Sequence, residues 1–231
     1  MYKIGIFDSG IGGLTILDEV KKIMPNENII YYKDSTNNPY GKKDITELET
    51  ITSNIVEYLI KQGVKEIIVA CNTATTMCIK YLREKHKDII FIGTEPAIKV
   101  ATDNGYKNIL IISTPNTAKS TRLNDLIEAN RTNEKINVIG IDDLAHAIEI
   151  DDKEKINEIL EKKLNKYKDN GIDAVVLGCT HYCYIKDEIR KILGNISIID
   201  GNAAIARQAK KKLEENNLLS NSKEQGIITI E

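Results

Sequence analysis

No stretch of this 231-residue chain approaches the roughly 20 consecutive apolar residues that a membrane-spanning helix needs, so a helical membrane protein is excluded. An excess of either charge is also missing: 32 basic and 34 acidic residues are spread through the whole length, giving a net charge of −2. Without a basic stripe to follow a phosphate backbone, nucleic acid is excluded as a primary partner. Cysteine is scarce, with Cys71, Cys78, Cys179 and Cys183 the whole complement. Four are too few to staple a chain of this size, and in a reducing compartment they are expected as thiols. Low complexity and Pro- or Gly-rich linkers are absent too, so composition marks no domain boundary. The opening "MYKIGIFDSG" runs directly into a strand pattern, without the charged and apolar regions of a secretory signal, and a cytoplasmic location is expected.

What the chain does have is alternation. Short runs rich in Ile and Val alternate with charged segments of helical period, the pattern of repeated βα units around a mostly parallel sheet. Strands are expected at 3–7, 28–33, 66–70, 89–93, 108–113, 136–141, 174–178 and 197–200, with a short terminal strand at 226–230. Helices are expected at 12–23, 45–62, 73–87, 98–103, 119–131, 144–149, 153–170, 185–193 and 202–216. A weak internal echo joins "GVKEIIVACNTATT" to "GIDAVVLGCTHYCY": a glycine, an apolar strand, then cysteine with threonine close behind. Two such stretches predict two α/β lobes, each ending a strand with a thiol at the carboxyl edge of its sheet, where open α/β sheets place ligands.

In "ACNTAT" the sulfur of Cys71 falls at a strand-to-helix turn, where free N–H groups and the helix dipole favour a thiolate. A lone cysteine there could equally be a small buried hydrophobe, but Asn72 and Thr73 put polar side chains where a packed core prefers apolar ones. "LGCTHYC" repeats the pattern with Cys179, Thr180 and His181. Cys179, His181 and Cys183 also permit a metal reading, although a paired CxxC or a fourth ligand at a recognisable spacing is lacking. A Cys–His hydrolase using Cys179 is a third reading, and it leaves Cys71 unexplained. The glycines of "FDSGIGG" suit either an anion cradle or a tight βα turn; neither a Walker lysine nor a full GxGxxG follows. There Asp8 could orient a proton and Ser9 could bind a polar ligand. "NNPYG" reads as a turn on the same sheet edge, and "STPNT" brings further hydroxyls to a strand end. His86 reads as a solvated helix end, Cys78 as core, and His146 with Glu149 as a surface pair three residues apart.

Taken in order, "GIFDSGIGGLTIL", "NNPYG", "ACNTAT", "GTEPAIK", "LGCTHY" and "IIDGNAAIAR" make the sequence resemble the cofactor-independent glutamate racemases of the aspartate/glutamate racemase superfamily, over nearly the whole chain. The resemblance implies two similar, mostly parallel-sheet α/β domains facing each other across an active-site cleft, at residues 1–96 plus 203–231 and 97–202. It implies that Cys71 and Cys179 are the two proton-transferring groups, with Asp8 the polar partner of the first and His181 that of the second. Asp8, Ser9, Tyr40, Gly41, Asn72, Thr73, Thr180 and His181 map onto the family's binding positions, with Thr114 and Thr117 as additional ligands. Glu149 matches an acidic position less closely, because "DDLAHAIE" departs from the commoner pattern. Cys183 stands where many relatives have proline. The implied reaction interconverts L- and D-glutamate without cofactor or metal and supplies D-glutamate for peptidoglycan; a homodimer is compatible with it. A racemase of another acidic amino acid such as aspartate, or a non-enzymatic two-lobed amino-acid-binding protein, is the alternative.

Overall fold

The computed structural model describes residues 2–231, and the chain divides into two compact units, Met1–Thr94 with Asn202–Glu231 and Glu95–Gly201. In the first unit β1 (Lys3–Asp8), α1 (Leu14–Ile23), β2 (Asn28–Lys33), α2 (Ile45–Lys61), β3 (Val64–Val69), α3 (Asn72–Lys85) and β4 (Ile90–Gly93) follow one another. The second contains α4 (Ile98–Asp103), β5 (Asn108–Ser113), α5 (Pro115–Lys119), α6 (Thr121–Asn130), β6 (Lys135–Gly140), α7 (Leu144–Glu149), α8 (Lys153–Leu164), β7 (Ala174–Gly178), α9 (Lys186–Leu193) and β8 (Ser197–Ile199). The chain then returns to the first unit as α10 (Asn202–Glu215) and β9 (Ile228–Ile230).

The sheet of the first unit runs β4-β3-β1-β2-β9 and that of the second β6-β5-β7-β8, with every pairing parallel. Parallel strands carry helices on both faces and are apolar on both, which accounts for the near-continuous Ile/Val runs. Because successive side chains point to opposite faces, Phe7, Ile30, Ile67 and Val69 pack beneath α2 and α3, while Ile4, Ile6, Ile29 and Ile68 pack beneath α1 and α10. In the second unit Leu110, Ile112, Val175 and Leu177 face α7, α8 and α9; Ile109, Ile111 and Val176 face α4 and α6. Each such Ile, Leu or Val contributes roughly 1.5–3 kcal/mol of burial.

One expected helix starts late and another stops early. The one expected at 119–131 begins at Thr121, because Ser120 is extended (φ −71°, ψ 139°) and its hydroxyl accepts the Leu123 N–H as an N-cap, while Lys119 ends α5, a separate short helix absent from the expected set. The one expected at 153–170 ends at Leu164 and tightens into a 3₁₀ turn, Asn165–Tyr167.

The returning chain is tied down at the amino-terminal edge of the first sheet. Lys65 Nζ pairs with Glu27 Oε2 at 2.6 Å, both buried, and also donates to the carbonyl of Leu218, while Ser220 N–H donates to Glu27 Oε1. Beside this cluster Glu66 breaks the apolar rule of β3. It is fully buried and neither carboxyl oxygen has a hydrogen-bond partner. Burial pushes its carboxyl up to about 8, with Lys65 opposing and Glu27 reinforcing the shift. Folded protein therefore holds a proton here that the unfolded chain releases above its ordinary carboxyl value of 4.5. The associated stability is complete below that value and is lost as pH rises towards about 8. Glu66→Gln is expected to flatten this dependence. Urea unfolding midpoints should fall with pH between 5 and 7.5 more steeply in the natural protein than in the variant, by up to about 1.4 kcal/mol per pH unit. Parallel pH dependences would contradict the assignment.

Candidate active site

Both sheets end their central strands in polar residues at the carboxyl edge, and in each unit a thiol sits there. In the first unit Asp8 closes β1, fully buried, and its Oδ2 accepts the N–H of Gly13 at 2.8 Å. A Cβ on Gly13 would stand 2.7 Å from the Asp8 Cβ and 2.8 Å from the Tyr31 hydroxyl, so this turn needs glycine. The "FDSGIGG" turn thus binds the chain's own carboxylate at the start of α1. Tyr31 braces the same turn by donating to the carbonyl of Gly10.

Cys71 is the N-cap of α3 and only 6% exposed. Its Sγ lies 4.0 Å from Ser9 Oγ. The sequence suggests a thiolate; the surroundings of the sulfur oppose one. Burial pushes the Cys71 thiol up to about 12 and the negative charge of Asp8 adds to it, overcoming the N–H groups of Ala74 and Thr73 and the Ser9 hydroxyl, which favour the anion. A helix N-terminus lowers a thiol's pKa only when desolvation and a neighbouring carboxylate do not outweigh it.

Tyr40 and Gly41 open a 3₁₀ turn after β2 and are both buried. The Tyr40 hydroxyl donates to Asp34 Oδ2 at 2.5 Å, and burial together with Asp34 keeps it protonated far above the ordinary tyrosine range. Asp34 N–H donates to the carbonyl of Asp8, and the Asn38 amide donates to the carbonyl of Ser9. The "NNPYG" loop is thereby bonded to the β1 terminus. Asn72 and Thr73 begin α3, both buried, and the Asn72 amide donates to the carbonyl of Thr94 at 3.2 Å.

In the second unit Cys179 follows β7 directly, extended (φ −152°, ψ 132°) and 7% exposed. A 3₁₀ turn, Thr180–Ile185, follows it and leads into α9, close to the helix expected at 185–193. His181 is buried, with Nδ1 3.9 Å from the Cys179 Sγ and Nε2 2.8 Å from Glu149 Oε2. With its Nε2 proton directed at the carboxylate, a neutral imidazole presents the Nδ1 lone pair to the thiol. Glu149, at the end of α7, therefore serves His181, and His146 is exposed. Thr114 caps α5 and donates from Oγ1 to Thr117 Oγ1 at 3.1 Å, both buried at the end of β5, the strand beside β7. Thr180 is buried in the same turn as His181. Cys78 is fully buried in the apolar layer under α2 and α3.

Within the first unit, then, Asp8, Ser9, Tyr40, Gly41, Cys71, Asn72 and Thr73 gather at one sheet edge; within the second, Cys179, Thr180, His181 and Glu149 do so beside Thr114 and Thr117. Asp34, Asn38 and Tyr182 escaped the sequence reading. Tyr182 is fully buried, its hydroxyl 3.3 Å from the carbonyls of both Ser113 and Ile141, beneath the Cys179 turn. The turn-forming "KDSTNNP" carried the signal for Asp34, which accepts the N–H of Asn37. Among the described residues, no cluster of three or more His, Cys, Asp or Glu side chains is placed to hold a metal ion.

Known proteins share this arrangement of chain. Residues 15–209 match the family model described as Asp/Glu/Hydantoin racemase. A glutamate racemase from Clostridium botulinum is 45% identical over 231 residues, spanning 98% of this chain and 90% of the relative. Among solved structures, a glutamate racemase from Bacillus anthracis superposes with a TM-score of 0.87 at 27% identity, covering 99% of this chain and 87% of the other. One from Francisella tularensis, solved in complex with D-glutamate, gives 0.86 at 30% identity with the same coverage. Sequence motifs, two parallel α/β units and a family match across most of the length converge: the chain belongs to the Asp/Glu/hydantoin racemase family.

Proposed function

We propose that this protein is a glutamate racemase that interconverts L- and D-glutamate with two bases, Cys71 and Cys179, and needs neither pyridoxal phosphate nor metal. The observation that carries the reading is one buried thiol just beyond a central parallel strand in each unit, each with its own acidic support: Asp8 near Cys71, and His181 backed by Glu149 at Cys179. Inversion at carbon removes a proton from one face and returns one to the other, so one monoprotic group cannot do both. Two thiols with separate proton relays meet that requirement.

Because burial and Asp8 oppose its ionisation, Cys71 is the proton donor for the enantiomer whose α-hydrogen Cys179 removes. His181 takes up the Cys179 proton, and the Glu149 carboxylate stabilises the imidazolium that results. For the opposite enantiomer the roles exchange. Ser9, Tyr40, Gly41, Asn72, Thr73, Thr114, Thr117 and Thr180 supply neutral donors and acceptors for the ammonium and carboxylates, stabilising charge that develops on the α-carboxylate as the α-carbon is deprotonated. On this reading the product supplies D-glutamate to peptidoglycan synthesis in the cytoplasm.

Metal-free, pyridoxal-free protein incubated with either glutamate enantiomer is expected to lose optical activity, with aspartate turned over far more slowly. Absence of racemisation by folded protein would remove the proposal. Cys71→Ala and Cys179→Ala should each lower kcat by roughly 10²- to 10⁴-fold while leaving thermal unfolding near the natural value. Near-normal turnover by either variant would exclude the two-thiol mechanism. Because Asp8 raises the Cys71 thiol, Asp8→Asn should move the alkylation-rate profile of Cys71 below about 12, toward lower pH. An unmoved profile would show that burial alone sets it.

A further inference from the structure

Beyond Val69 and Gly93 the ladder between β3 and β4 has ended, leaving the carbonyl of Val69 and the N–H of Thr94 at the point where the strands part. Thr75 spans that opening. Its hydroxyl donates to the carbonyl of Val69 at 3.1 Å and accepts the N–H of Thr94 at 2.9 Å, and the residue is fully buried. Its own N–H donates to the carbonyl of Cys71 at 2.9 Å. The Asn72 amide holds the carbonyl of the same residue, Thr94, so two side chains from the first turn of α3 grip the two successive peptide groups that flank Thr94. Gly93 makes room for this: a Cβ there would stand 2.7 Å from the Thr75 methyl.

The adjacent Thr76 shows the ordinary alternative. Its hydroxyl bonds back to the carbonyls of Asn72 and Thr73 within its own helix, the usual fate of a helical threonine. Thr75 instead spends both its donor and its acceptor on two different strands. A buried hydroxyl used in this way cannot be replaced by the isosteric valine without leaving a carbonyl and an N–H buried without a partner.

We infer that Thr75 is the positioning residue for Cys71: by joining the carboxyl ends of β3 and β4 it fixes the first turn of α3, whose N-cap carries the thiol. The effect on turnover rests on the glutamate racemase reading above; the effect on the thiol does not. Thr75→Val should therefore act through Cys71, and Thr75→Ser, which keeps the hydroxyl, should restore what Val removes.

The test compares Thr75→Val, Thr75→Ala and Thr75→Ser with the natural protein and with Thr76→Val as a control. Site-resolved alkylation by iodoacetamide is followed at Cys71, with Cys179 as internal reference. Loss of the hydroxyl is expected to speed Cys71 alkylation about tenfold with Cys179 unchanged, and to lower kcat by roughly 10- to 100-fold with KM within about threefold. Thr75→Ser and Thr76→Val should stay within about threefold of the natural protein on both measures. If Thr75→Val does not fold, the Ala and Ser variants decide. Unchanged Cys71 alkylation in a folded hydroxyl-free variant, equal acceleration at both cysteines, or failure of Thr75→Ser to restore the natural rate would each overturn the inference. Should the natural protein itself not racemise glutamate, the functional reading falls and the alkylation comparison still judges the role of Thr75.

Discussion

At the carboxyl edge of a parallel sheet the strands stop in register but their backbone groups do not stop needing partners, and the candidate site residues of each unit are built on that edge. Each carbonyl and N–H left over there must find a side chain, a helix terminus or a ligand. The first unit answers with Asp8 on the Gly13 N–H, Thr75 across the gap between β3 and β4, and Asn72 on the Thr94 carbonyl. The second answers with Tyr182 against the carbonyls of Ser113 and Ile141 and with the Thr114–Thr117 pair. The thiols occupy what those bonds leave.

This burial has an electrostatic consequence. A thiol near the surface at a helix N-terminus would be activated by its surroundings; at Cys71 burial and the Asp8 carboxylate push the pKa the other way. A group with so high a pKa is a poor nucleophile at neutral pH but a strong base once it has lost its proton, which suits removal of a weakly acidic α-hydrogen. Chemistry of this kind needs the proton to be moved by neighbours. On the proposed two-thiol mechanism that neighbour in the second unit is His181, held between Cys179 and Glu149.

Much of this was legible from local pattern. Ile/Val runs gave the strands because a sheet covered on both faces leaves no polar alternation to disguise them, and the two strand-end cysteines stood out because polar residues followed apolar ones abruptly. What stayed hidden depends on distance in space. Glu149 and His146 look like helix neighbours, yet Glu149 bonds to His181, 32 residues away in sequence. Ser120 falls in the first turn of the expected helix, yet its extended backbone makes it the N-cap of α6 and separates that helix from α5. The opposing influences on the Cys71 thiol divide in the same way: its helix position is local, while its burial and the Asp8 charge come from the fold. Thr75 carries no motif of its own, because its hydroxyl acquires meaning only once β3 and β4 lie side by side.

Early-time racemisation in D₂O, with each glutamate enantiomer as substrate, tests the two-thiol account most directly. A thiol that returns a proton to the second face draws it from solvent, so deuterium should appear at the α-carbon of newly formed product while the residual substrate stays protiated. Deuterium accumulating equally in residual substrate and product would mean a single base shared by both faces, and would contradict the account.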